Sequence, residues 1–217
     1  MLDNYFIDEF GVIHQINWNL KVYDQQYLSY YEGLQDRTIK LGYQRMGWIL
    51  GILRRMPESV LEIGYGTGTF IEAASVTGVR YCAGFDIARY PIPARCTFVE
   101  WEEALTQNWD LVALFDVLEH IPDLSFLGEI KAKNISLAVP YCRWHELGDD
   151  WFREWRMRLP DEHLHHFHPD SLLKLMRHFG YRCLELNTFE DGLRLREGES
   201  GPNILLGFFQ RIEKTKQ

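Results

Sequence analysis

The apolar positions of the chain change their period along its length. From Asp36 to Met56 they recur at helical spacing, at Ile39, Tyr43, Met46, Ile49, Leu50 and Leu53, so this stretch predicts an amphipathic helix with Asp36 near its start. Pro57 and Glu58 interrupt it, and short apolar runs then take over. Ser59–Ile63, Arg80–Phe85, Thr97–Val99, Asp110–Phe115 and Asn134–Val139 read as strands, with helices expected between them at Thr69–Val76, Glu102–Asn108 and Leu124–Lys131. Such alternation implies right-handed crossovers and a mostly parallel sheet covered on both faces. A last helix is predicted over Pro169–Phe179, with proline in its first turn and Gly180 as its C-terminal cap. Two strands follow, Tyr181–Phe189 and Ile204–Ile212, joined by the polar stretch 190–203, which suits an antiparallel hairpin at the sheet edge. The expected fold is therefore α/β, a doubly wound, mostly parallel seven-stranded sheet ending in an antiparallel hairpin.

Composition narrows the class without naming a chemistry. At 217 residues the chain fits one domain with a full core. A net charge of −8 offers no electrostatic grip on a phosphate backbone, so no nucleic-acid partner is expected. Cys82, Cys96, Cys142 and Cys183 form no C-x-x-C pair, and a reducing, cytoplasmic location is the expectation. The first residues are acidic and unlike a signal peptide, and no run approaches the roughly 18 apolar residues of a membrane span.

The chemistry is concentrated where the first strand ends. Val60–Phe70 reads V-L-E-I-G-Y-G-T-G-T-F, an apolar strand running into Gly64, Gly66 and Gly68. Asp86 closes the next strand, where a carboxylate is placed to accept hydrogen bonds from ribose hydroxyls. A dinucleotide site needs G-x-G-x-x-G; counted from Gly64, its third glycine falls on Thr69, and the pattern fails. The G-x-G-x-G loop, preceded by Glu62, instead resembles motif I of the class I S-adenosylmethionine-dependent methyltransferases. Two further segments extend the resemblance. Trp109–Asp123, with its D-V-L-E-H-I-P-D ending, is similar to the fourth-strand motif of small-molecule methyltransferases, and Pro160–Arg182 is similar to their E-H-x-x-x-F segment.

The resemblance implies a Rossmann-like domain over 59–217, a helical segment over 1–58 that packs on or caps it, and a lid-like insertion at about 141–168. It implies S-adenosyl-L-methionine as cofactor and S-adenosyl-L-homocysteine as product. Gly64, Tyr65, Gly66 and Gly68 would line the methionine end, with Glu62 bracing the loop. Asp86 would hold the ribose, Ile87 would pack on adenine, Glu100 and Trp101 would contact the adenine edge, and Asp116 would meet the cofactor at the end of the fourth strand. Asp116 and Glu119 also suit the positive end of a helix. The tyrosines Tyr23, Tyr27 and Tyr31 either pack an N-terminal helix or cap the site.

The insertion holds His145, His163, His165, His166 and His168, and Trp144, Trp151 and Trp155. Three readings stand side by side: a lid with His163 or His166 as base, plain packing, or a metal site. No ligand set has zinc-like spacing in the sequence, so no metal is expected. His120 is either a further catalytic histidine or a packed one. Arg153, Arg156 and Arg158, with acids nearby, read as a salt-bridged surface helix. The expected function is methyl transfer to a small-molecule acceptor, at oxygen ahead of carbon or nitrogen because potential bases are plentiful. The alternatives are a nucleic-acid or protein N-methyltransferase and a non-catalytic protein that binds the cofactor; no [DNS]-P-P-[YFW] tetrapeptide follows the fourth strand to favour the former.

Overall fold

Alternation of inward and outward side chains sets the first elements as strands. Tyr5–Ile7 (β1) and Ile13–Gln15 (β2) pair antiparallel, with Tyr5 and Ile13 buried and Phe6 exposed. The first residues, expected to be helical, are thus a hairpin instead. The structure, a computed structural model, describes residues 3–19, 23, 29, 33, 35–195 and 201–213, so Tyr27 and Tyr31 lie outside the described residues. Gln35–Leu53 (α1) is the predicted amphipathic helix, turned from the expected face: Leu41, Arg45, Met46 and Ile49 are buried while Tyr43 is exposed.

The alternation that follows matches the predicted runs to within a few residues. It comprises Ser59–Ile63 (β3), Thr69–Thr77 (α2), Tyr81–Phe85 (β4), Thr97–Phe98 (β5), Trp101–Thr106 (α3), Trp109–Phe115 (β6), Phe126–Glu129 (α4) and Ala132–Pro140 (β7). Trp144–Glu154 (α5) and His165–His166 (β8) occupy the insertion, which gave no periodic signal. Pro169–His178 (α6), Tyr181–Asn187 (β9), Asp191–Arg194 (α7) and Ile204–Arg211 (β10) complete the described chain. The seven-stranded sheet has the order β5-β4-β3-β6-β7-β10-β9. β3 lies parallel to β4 and β6, β4 parallel to β5, and β9 and β10 form the expected antiparallel hairpin, with a register shift between Phe208 and Phe209. A second sheet, β1-β2-β8, was not legible beforehand because its strands have two or three residues each.

The chain gathers into two compact units. The first comprises Val22–Phe115 and Glu129–Ser136. Its core is the fully buried set Val60, Leu61, Ile71, Ala74, Leu111 and Val112, edged by the Trp109 indole, whose N–H donates to the Ala104 carbonyl at 2.8 Å. At the start of β6, Asp110 receives a two-pronged contact from Arg55 and the Glu58 N–H, which holds its carboxyl down at about 2. The second unit comprises Met1–Lys21, Asp116–Gly128 and Leu137–Gln217. There Tyr5, Ile13, Cys142 and Phe152 form a cluster on which Trp144, Trp151 and Trp155 pack. His168 caps α6, receiving the Asp170 N–H on Nδ1 while its own N–H donates to Ser171 Oγ. Arg153 pairs with Asp150 on the surface of α5, as expected of a salt-bridged surface helix.

Candidate functional site

In the first unit, Gly64, Gly66 and Gly68 have φ of 68°, 50° and 72°, left-handed values that glycine adopts without a Cβ penalty. The Gly64 N–H donates to Phe85 O and the Gly68 N–H to Tyr65 O, both at 2.7 Å, folding the loop over the end of β3 and into α2. The glycines do different work. A Cβ on Gly68 would stand 2.7 Å from the Pro93 ring, so that position is closed by packing; one on Gly66 would meet nothing within 4 Å, so the loop backbone there borders open space. Glu62 lies beneath, its Oε2 accepting the Ile71 N–H at 3.0 Å, and burial pushes its carboxyl up to about 8.

Asp86 ties the second half of the motif to the first. Its Oδ2 accepts the Gly66 N–H at 2.9 Å and its Oδ1 the Ala88 N–H at 2.8 Å. Burial raises this carboxyl and the two backbone bonds oppose the rise. Each oxygen retains a further lone pair. Ile87, next to it, is 76% exposed, an unusual position for a large aliphatic side chain. The Tyr65 side chain is buried with Tyr90, whose carbonyl accepts the phenol O–H, so what Tyr65 offers the loop is its backbone. Glu100 pairs with Arg89 at 2.7 Å, both side chains largely exposed, and Trp101 packs on Phe85 with ring centroids 5.1 Å apart.

In the second unit, Asp116 has a φ of 57°, rare for a residue with a Cβ although aspartate tolerates it best. Both its oxygens are engaged by Arg194, at 2.7 and 2.8 Å, and Arg194 also reaches Glu190 Oε2 at 3.1 Å. Sequence reasoning missed Arg194 and Glu190, which fall in the stretch read as a hairpin loop; their four-residue separation was the available signal. Asp116 therefore enters the structure as half of an ion pair.

The next turn, Leu118–His120, brings Glu119 and His120 against His163. The His120 and His163 rings meet edge-on with centroids 4.7 Å apart. His120 Nδ1 lies 2.8 Å from Glu162 O and His163 Nδ1 lies 2.7 Å from Met157 O. Burial is the main reason the His120 imidazole is held down at about 4. Glu119 is only 1% exposed, and its carboxyl is raised well above the usual range by burial and then by Asp116. His166 does not join them: it is fully buried, with ring centroids of Phe152, Trp155 and Tyr5 at 5.1, 5.7 and 5.7 Å, and burial pushes its proton affinity well down. His165 bonds His14 Nδ1 at 2.8 Å and Ile121 O at 2.9 Å.

A family model described as a methyltransferase domain matches residues 35–186. The chain belongs to that family. As a methyltransferase of this family, it is an enzyme that takes its methyl group from S-adenosylmethionine. Among solved structures it is similar to the plantazolicin methyltransferase in complex with S-adenosylhomocysteine (TM-score 0.60, 11% identity, covering 87% of this chain and 90% of that one). It is also similar to the Burkholderia thailandensis 1,6-didemethyltoxoflavin-N1-methyltransferase (0.56, 14%, covering 96% and 98%) and to an S-adenosylmethionine-dependent methyltransferase from Mesorhizobium loti (0.53, 15%, covering 74% and 96%). At such identities these likenesses establish the methyltransferase fold alone. No curated protein matches the chain. Among the described residues, no helix is long and apolar enough to cross a membrane.

Proposed function

We propose that this methyltransferase acts on a small-molecule acceptor, at oxygen in preference to carbon or nitrogen. In the proposal the cofactor is held by the backbone of Gly64–Gly68 and by Asp86. The observation that carries this is the Gly66–Asp86 bond: one carboxylate organises a loop that borders open space and keeps acceptor capacity of its own for ribose hydroxyls. Ile87 would cover the adenine face, with Glu100 and Trp101 at its edge, while Glu62 holds the start of α2. The bound cofactor supplies a sulfonium methyl, which an aligned nucleophile roughly 3 Å away can accept.

The acceptor class rests on separate observations. A net charge of −8 disfavours a nucleic-acid acceptor. Arg143, Trp151, Trp155, Arg156 and Leu195 line an open surface cavity of about 360 Å³, and the lid-like part expected of residues 141–168 is proposed for its two arginines and two tryptophans. Of similar enzymes, one is named for the small molecule 1,6-didemethyltoxoflavin and another for plantazolicin, so likeness alone leaves the acceptor open. A hydroxyl acceptor must lose a proton. His166, sealed among aromatic rings, is a poor candidate to take it. Of the histidines expected to be catalytic, the proposal keeps His120 and His163 for that work in the cation-free protein.

The test is transfer of a labelled methyl group from S-adenosylmethionine to panels of phenols and alcohols, amines, and RNA or DNA. Hydroxyl-dependent incorporation supports the reading. Incorporation confined to nucleic acid, or cofactor binding without transfer to any acceptor class, overturns it.

A further inference from the structure

We propose that Glu119, His120 and His163 bind a divalent transition-metal cation, zinc foremost, as a two-histidine, one-carboxylate site with an open position for an oxygen ligand. The three residues lie in one unit and come from two stretches of chain. The turn Leu118–His120 supplies two of them, and the segment leading into β8 supplies the third. Each offers one ligand atom, and these atoms all lie within 4.8 Å of one another.

Two independent features point to a cation. The first is Glu119. Neither Oε1 nor Oε2 has a hydrogen-bond partner in another residue, although the side chain is buried; the donor that acts on the carboxyl is Glu119's own backbone N–H. A buried polar group left unmatched costs about 1–3 kcal/mol, and more if charged, so native folds rarely leave both oxygens of a carboxyl in this state. The neighbouring cation, Arg194, is committed to Asp116 and Glu190. A metal ion is the partner a carboxylate in this position lacks, since it bonds to oxygen directly.

The second feature is the pair of imidazoles. Each turns its Nδ1 to a backbone carbonyl, His120 to Glu162 O at 2.8 Å and His163 to Met157 O at 2.7 Å. A carbonyl only accepts, so each Nδ1 carries the proton and donates. That fixes the tautomer in which Nε2 presents a lone pair, and it does so in both rings of a contacting pair. An imidazole that ligates a metal almost always donates its other N–H to a carbonyl or carboxylate, which orients the ring and sets its tautomer.

The geometry needs little adjustment. Ligand atoms about 2.0–2.2 Å from a tetrahedral zinc stand roughly 3.4 Å apart, so atoms lying within 4.8 Å of one another would draw together by up to about 1.4 Å on binding. Two neutral nitrogens and one carboxylate suit zinc and its neighbours better than magnesium or calcium, which prefer oxygen. With three protein ligands, a water or an acceptor oxygen would complete the shell. The inference concerns cation binding and stands whether or not a hydroxyl is the methyl acceptor.

The experiment uses tag-free full-length protein stripped with chelator and titrated with Zn²⁺ by calorimetry and with Co²⁺ by visible absorption. One ion per chain is expected, with a ligand-field band for Co²⁺ and a rise in melting temperature for Zn²⁺. Glu119→Gln keeps the size of the side chain and removes the anionic ligand; it should weaken binding by more than the roughly 10–100-fold typical of losing an outer-shell partner. His120→Asn provides the same comparison if Glu119→Gln does not fold. Absence of stoichiometric binding by the wild type overturns the proposal. So does wild-type affinity in a variant whose circular dichroism is native, since the ion would then sit elsewhere.

Discussion

The Asp86 carboxylate accepts the backbone N–H of Gly66 at 2.9 Å, joining the two halves of the glycine motif across 20 positions of sequence. A second bond, from the Ala88 N–H, fixes the carboxylate from its own side. The residue expected to meet a ribose is therefore also the one that shapes the loop.

Asp86→Ala should weaken binding of S-adenosylmethionine at least tenfold, measured by calorimetry, because it removes both the proposed ribose acceptor and the brace on Gly66. Asp86→Asn should do nearly as much. An amide has one acceptor oxygen, and its NH₂ would face one of the two backbone donors. Near wild-type affinity in both variants would remove Asp86 from the cofactor site.

Gly42 and Gly47 in α1 make a matched pair of opposite sign. Alanine normally stabilises a helix interior by about 1 kcal/mol over glycine. At Gly47 an added Cβ meets nothing within 4 Å, so Gly47→Ala should raise stability by up to about that amount. At Gly42 the same atom would lie 2.7 Å from the Thr69 carbonyl oxygen and 3.0 Å from its carbon, both backbone. Separating α1 from the start of α2 should cost about 1–3 kcal/mol, outweighing the propensity gain. Chemical denaturation of the two variants measures the difference; equal effects would mean the helices are not in close contact.

How much of this could be read beforehand follows from the scale of each signal. The strands β3, β4, β6, β7 and β10 are apolar runs long enough to announce themselves, and the glycines before α2 mark a backbone need that no other residue meets as well. The two- and three-residue strands β1, β2 and β8 carry no period, and the pairing of Ile13 with His166 spans most of the chain. Tyr65 shows a different limit. Its position in the motif places its backbone, but whether the ring faces the ligand or the core depends on Gly84, where a Cβ would come within 2.7 Å of that ring. The histidine-rich stretch was legible as chemistry and illegible as geometry. The backbone sends His163 to Glu119 and His120, His166 into an aromatic cage, His165 to His14, and His168 to the cap of α6.

Arg194 is the cation between Asp116 and Glu190, and Glu190 is completely buried. Arg194→Met leaves two carboxylates together without it and should cost about 3–5 kcal/mol, the range for breaking a buried pair from one side. Adding Glu190→Gln to Arg194→Met should recover part of that loss by removing one stranded charge. A double-mutant cycle by urea unfolding makes the comparison. Strictly additive losses would show that Arg194 and Glu190 do not act as a unit.

Glu62 predicts a pH dependence of definite sign. Its folded-state carboxyl is pushed up to about 8 by burial, against an ordinary value of 4.5, with Arg45 and the Ile71 N–H opposing the rise. The folded protein therefore holds a proton between those values that the unfolded chain releases. The contribution of neutral Glu62 is fully present below pH 4.5 and is lost as pH rises through about 8. Glu62→Gln keeps an acceptor for the Ile71 N–H and cannot ionise, so it escapes that loss. Melting temperatures of the two proteins, compared across this window, should show the variant gaining on the wild type from the acid to the alkaline end. A difference that stays flat or reverses would mean Glu62 is ionised in the folded protein throughout, with Arg45 as its effective counter-ion.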